Sequence, residues 1–202
     1  MSSILAPATE PARRSRGRPR DNVLQERIKA AALSVLARHG FSGLTLERVC
    51  AEAQVPKATF YRRWDNPTAC VIEGFLELWS EVEFENKGDA AQDLEVFAHR
   101  LIDLYGHPIL GPCSVAIQTE SRVNREVGAS QNTSALQRRA RNAGALQQAL
   151  NLMPVPPALS AELILNVING VARNVRSLNW PVSDEDLRLL IQSLLTPAPT
   201  QS

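Results

Sequence analysis

Thr45 Leu46 Glu47 Arg48 Val49 Cys50 Ala51 Glu52 Ala53, then Gln54 Val55 Pro56, then Lys57 Ala58 Thr59 Phe60 Tyr61 Arg62 Arg63 Trp64, reads as two short helices about a tight turn. Thr45 is an N-cap residue, and Leu46, Val49, Cys50 and Ala53 recur at the spacing of one helical face. Pro56 suits the first turn of a following helix, which is expected to run from Pro56 to Arg63. Within it the side chains divide by character. Val55, Phe60 and Trp64 are suited to pack inward, whereas Lys57, Ala58, Thr59, Tyr61, Arg62 and Arg63 are polar, small or basic and suit base edges and phosphates. A short helix held against two supporting helices can seat such a face in the major groove of a DNA duplex. Thr45, at the start of the preceding helix, offers a hydroxyl and a free backbone N–H to a phosphate.

Upstream, Asp21 or Asn22 caps a supporting helix whose apolar side is Leu24, Ile28, Ala31, Ala32, Val35 and Leu36, and Gly40 ends it. Downstream, Asn66 and Pro67 open a fourth helix with Val71, Phe75, Leu78 and Val82 on one side and Glu73, Glu77, Glu81 and Glu85 on the solvated side. After Gly88 and Asp89, further helices are expected near 91–106, 109–127, 132–150, 159–179 and 184–195. The breaks between them fall at Gly106 to Pro108, Gly128 to Ser130, the Met153–Pro157 run and Trp180 Pro181. No alternating pattern suggests a strand. The expected fold is all-α, with about nine helices: a flexible basic arm over 1–20, a three-helix helix-turn-helix DNA-binding domain over 21–66, and a helical ligand-binding and dimerisation domain over 67–202.

Charge separates these parts. The chain of 202 residues has a net charge of +1, but residues 1–64 hold 12 Lys and Arg against 5 Asp and Glu, a net of +7, and the rest holds 10 against 16, a net of −6. A basic module on an acidic body fits a polyanion partner for the first part only. Cys50, Cys70 and Cys113 form no CxxC pair and read as thiols of a reducing compartment. No secretory signal or membrane-length apolar run is present, so the expected location is the cytoplasm. No nucleophile with a base, carboxylate pair or phosphate loop can be placed, so an enzyme is not expected, nor a cofactor.

The segment Phe41 to Thr45 followed by Ala53 Gln54 Val55 Pro56 Lys57 Ala58 Thr59 Phe60 Tyr61 Arg62 Arg63 Trp64 resembles the TetR family of bacterial regulators, closely over about residues 22–80. The resemblance implies that Lys57, Ala58, Thr59 and Tyr61 face the groove, with Tyr61 also near a phosphate, and that a two-fold dimer binds a palindromic operator. Two positions depart from the family. Gln54 stands where Gly is usual in the turn, and a non-Gly residue at positive φ costs about 1 kcal/mol. Pro67 stands where a phosphate-touching Lys is common, leaving that contact to Arg62, Arg63 or the arm.

The arm contains Arg16 Gly17 Arg18 Pro19 Arg20, similar to an AT-hook core, in which Arg16 and Arg18 would lie in a narrow minor groove. A solvated basic tail adding salt-sensitive affinity is the alternative. His99, Asp103 and His107 share a helical face but lie opposite the stripe of Leu94, Phe97, Leu101 and Leu104, which favours solvent over a metal ion. In the body, Phe97, Leu101, Tyr105, Cys113 and Ile117 are candidates to line a ligand pocket, ordinary core being the alternative. Leu163, Val167 and Val171, with Leu187, Ile191 and Leu194, could form a four-helix dimer interface or be buried within one subunit. Together these readings describe a sequence-specific transcription regulator binding double-stranded DNA, a repressor released by a small-molecule effector. A non-specific architectural DNA-binding protein is the alternative.

Overall fold

The computed structural model describes residues 18–197, and among them lie nine α-helices, one short 3-10 turn and no strand. The first helix, α1, spans Arg18–His39. It begins three residues before Asp21, so the segment expected as an arm over 1–20 ends in helix. Ile28, Ala31, Ala32, Val35 and Leu36 are buried along it as the spacing predicts, joined by Leu33. Gly40, at φ 62°, turns the chain out of α1 while its N–H donates to the Leu36 carbonyl at 2.9 Å. A 3-10 turn over Phe41–Gly43 leads to α2, Leu46–Ala53.

Thr45 caps α2 by accepting the Arg48 N–H on its side chain. Gln54 follows at φ 53°, ψ 50°, the left-handed conformation expected for the turn, and its N–H donates to Ala51 O at 3.2 Å. That bond and the burial of Val49, Cys50 and Ala53 offset the roughly 1 kcal/mol that a side chain costs there. Pro56 precedes α3, Lys57–Tyr61, and α4 spans Pro67–Ser80 with the Asn66 carboxamide accepting the Ala69 N–H at 2.9 Å.

The body continues with α5 (Ala90–Gly106), α6 (Leu110–Glu120), α7 (Arg125–Leu150), α8 (Ala161–Ser177) and α9 (Asp184–Leu194). A single helix was expected over 109–127 with a break at Gly128. The chain instead breaks at 121–124, where the Asn124 side chain accepts the N–H groups of Glu126 and Val127 and so opens α7. Gly128 lies inside α7, where a Cβ would meet the Ser121 carbonyl oxygen at 2.7 Å, so the glycine serves a close approach and not a helix stop.

Two apolar cores result. One gathers α1 to α4 together with Leu104, Leu110, Cys113, Ile117 and Val127, and the other is built by α5, α7, α8 and α9. The core that seats α2 and α3 therefore extends through α4 into α6, well beyond residue 66. On α4, Trp79 is buried and Leu78 is exposed, which corrects the expected stripe. The expected solvated side of α4 is also partly engaged. Glu77 pairs with Lys29, a buried lysine of α1 that also meets Glu26 at 2.8 Å.

Candidate nucleic-acid interface and ligand cavity

Phe60 and Trp64 anchor α3. Both are buried, their ring centroids lie 5.5 Å apart, and the Trp64 indole N–H donates to Glu73 Oε2 on α4 at 3.0 Å. With one side fixed, the other is presented outward: Lys57, Ala58, Tyr61, Arg62 and Arg63 are exposed and Thr59 is half-buried. Tyr61 meets Phe60 edge-on, ring centroids 6.0 Å apart, and still leaves 57% of its surface to solvent. Arg62 and Arg63 make no ion pair among the described residues, so their charge is available to a polyanion.

Lys57 is held differently. Its Nζ lies 2.5 Å from Glu47 Oε1 on α2. That hydrogen bond holds the Glu47 carboxyl below the usual carboxylate range and raises the Lys57 ammonium above its own. Glu47 was not among the sequence candidates, and only the packing of α2 against α3 reveals it.

Thr45 is exposed at the α2 N-terminus as expected, but its backbone N–H is not free. It donates to Gly43 O at 3.0 Å and so is not open to a phosphate. Of the arm candidates, Arg16 lies outside the described residues and Arg18 opens α1.

Between α4, α5, α6, α7 and α8 lies a cavity of about 720 Å³. Phe97, Leu101 and Tyr105 line it, as the sequence reading expected. Cys113 and Ile117 do not: they point the other way into the first core, where the Cys113 Sγ–H donates to the Leu33 carbonyl at 3.3 Å, and Ser114, Val115 and Gln118 supply the α6 wall instead. Being four residues apart, Cys113 and Ile117 share one face of α6, and that face belongs to α1. Cavity residues that sequence reasoning missed include Trp79, Asn169, Arg138 and Arg173. The Tyr105 hydroxyl donates to Asn169 Oδ1 at 3.0 Å, and the Arg138 guanidinium carbon sits 5.7 Å from the Trp79 ring centroid.

The candidate interface of the last helices divides in two. Leu163 is exposed and Val167 and Val171 are half-buried on α8, leaving an apolar outer face. Leu187, Ile191 and Leu194 are buried inside the subunit, where α9 packs on α5, so they are not available to a partner. Leu189, 52% exposed, is the outward apolar residue of α9.

His99 faces Asp184 at 3.8 Å, Asp103 faces Arg176, and His107 accepts the Ile109 and Leu110 N–H groups at the start of α6. Among the described residues no three His, Cys, Asp or Glu side chains are grouped to hold a metal ion, and no helix is long and apolar enough to cross a membrane.

Residues 28–73 match the family model for bacterial regulatory proteins of the tetR family. Over 87 residues the chain is 33% identical to the uncharacterized HTH-type transcriptional regulator YdeS of Bacillus subtilis, an alignment that spans 43% of this chain and 44% of that protein. Over 181 residues it is 26% identical to the uncharacterized HTH-type transcriptional regulator Mb1581 of Mycobacterium bovis, covering 87% of each. Salmonella enterica GusR superposes with a TM-score of 0.72 at 16% identity, over 89% of this chain and 98% of its own. The TetR family transcription regulator SCO0332 superposes at 0.64 with 21% identity, over 85% and 96%.

Proposed function

We propose that this chain, whose residues 28–73 match the family model for bacterial regulatory proteins of the tetR family, is a member of that family, a repressor that binds a palindromic operator as a homodimer and is released by a small-molecule effector. The observation that carries the reading is the outward face of α3. An exposed Tyr61 stands with Lys57, Arg62 and Arg63 over a fully buried Phe60, a division of side chains with no use in packing one subunit. In the groove, Lys57, Ala58, Thr59 and Tyr61 meet base edges and the nearest phosphates, while Arg62, Arg63 and the Thr45 hydroxyl hold the backbone. Arg16 and Arg18 add contacts from the preceding segment.

Two-fold pairing through Leu163, Val167, Val171 and Leu189 sets the two α3 helices one or more turns of duplex apart. The cavity supplies the switch. An effector binding more tightly to the spacing that does not fit the operator releases the DNA, and one binding both spacings equally shifts nothing. The DNA-binding domain comprises 21–66 with its core completed by the body over 67–202, the whole acts in the cytoplasm, and no catalytic step is assigned.

Selection of bound duplexes from a random pool tests the reading. A recovered palindrome supports it. A pool that shows no enriched sequence after repeated rounds refutes it in favour of sequence-independent binding.

A further inference from the structure

The cavity has a chemical polarity that narrows its ligand. Phe75, Trp79, Phe97 and Leu101 give it an apolar, ring-rich lining, and Arg138, Arg139 and Arg173 line it within reach of Tyr105, on whose hydroxyl all three charges act. The single carboxylate among the described lining residues is Glu162. It precedes Arg173 by eleven residues on α8, roughly 16 Å along the helix axis, too far to neutralise it.

Nor do the arginines find counter-charges elsewhere. Among the described residues Arg138 makes no ion pair and rests over the Trp79 ring, while Arg173 donates to Gln118 Oε1 at 3.0 Å, an uncharged amide. A guanidinium drawn out of water without an anion is unfavourable, and its planar fork matches a carboxylate or sulfonate. Desolvation accordingly draws the Arg138 pKa below its ordinary value. The volume suits an organic molecule of one or two fused rings or more.

Resting on the effector-release reading above, we propose that the cavity takes a small organic anion whose ring-bearing apolar body lies on Trp79 and Phe97 and whose acidic head is held by Arg138 and Arg173 beside Tyr105. The aromatic wall supplies affinity through burial, and the guanidinium pair selects the charged head over its neutral analogue.

Two fluorescent probes sharing one body test this: 8-anilinonaphthalene-1-sulfonate carries the acidic head and N-phenyl-1-naphthylamine lacks it. Each is titrated into the full chain. Gly170→Leu locates the site, because Gly170 lines the cavity, a Cβ there meets nothing within 4 Å, and a leucine adds bulk at its wall. The expected result is that both probes are weakened by Gly170→Leu. Arg138→Gln is expected to weaken the sulfonate about tenfold or more, to leave the neutral probe within about twofold, and to be partly rescued by Arg138→Lys. Thermal melts check folding, and Arg173→Gln is the second variant. Sulfonate binding undiminished by either variant, or both probes weakened equally, overturns the anionic ligand and leaves effector release standing. Failure of both probes to bind, or binding indifferent to Gly170→Leu, overturns the cavity as a ligand site and the effector-release reading with it.

Discussion

The Trp64 indole N–H donates to Glu73 Oε2 at 3.0 Å, joining the residue that closes the recognition segment to the helix that leads into the body. Lys29 adds a second tie, reaching from α1 to Glu77 one turn further along α4. Both ties sit on a single apolar core running from α2 and α3 through α4 to α6. A change in how α4 sits is therefore felt by the helix offered to DNA.

Trp64→Phe keeps the ring in the core and removes the donor, leaving Glu73 with an unpaired, partly buried carboxylate. The expected loss of stability is about 1–2 kcal/mol. A guanidinium melt checks it, the midpoint falling while the slope is kept. An unmoved midpoint would show that the hydrogen bond adds nothing.

In the proposed complex Glu47 would compete with DNA for Lys57, to which it is paired in the free chain. Glu47→Gln removes a negative charge from the binding face and frees the ammonium, so affinity for any duplex is expected to rise about two- to fivefold at low salt, with a steeper fall as salt is added. Fluorescence anisotropy across a salt series measures both. Equal affinity and slope would mean that the pair does not restrain Lys57.

The thiols Cys50, Cys70 and Cys113 are buried, and desolvation raises all three pKa values, those of Cys70 and Cys113 from 9.0 to about 12. Ellman's reagent at pH 8 is expected to label none of them in the folded chain and all of them in guanidinium. The linkage has a definite sign. An unfolded thiol ionises near 9.0 and the folded one near 12, so stability is full below pH 9 and falls as pH climbs through that window. Native labelling within minutes at pH 8 would contradict the burial.

Leu163→Glu with Leu189→Glu places charge on the outer faces of α8 and α9 without touching either core. Sedimentation is expected to change from dimer to monomer while the melting curve of the subunit persists. By contrast Leu187→Glu, which buries the charge, is expected to unfold the body by several kcal/mol. A dimer unaffected by the outer pair would place the interface elsewhere.

How much of this was legible beforehand differs from element to element. Gln54, Asn66 and Pro67 act locally, through a left-handed turn, a cap and proline geometry, and Thr45 caps α2 with its hydroxyl, so their chemistry was readable in one dimension; Pro56 was expected inside a helix over Pro56–Arg63 and instead caps the shorter α3 from outside. Phe60 and Trp64 were legible as inward residues from their apolar character among polar and basic neighbours. Spacing says that a face is apolar but not which neighbour covers it. For that reason Cys113 and Ile117 went to α1 and not to the cavity, and Leu187, Ile191 and Leu194 to α5 and not to a partner. Gly128 looked like a break because glycine has two uses, and only the nearby Ser121 carbonyl shows which one applies. That Arg138 and Arg173 line one cavity was invisible because they lie on different helices, brought to it only by the packing of α7 on α8.

The central claim is that the outward face of α3 reads a duplex, and it is tested most directly by measuring Lys57→Ala together with Tyr61→Ala on a selected operator and on random DNA. Given a double variant whose melt matches the parent, the account predicts a loss of about ten- to a hundredfold on the operator, with the preference over random duplex collapsing. Unchanged affinity for the operator together with unchanged preference would contradict it.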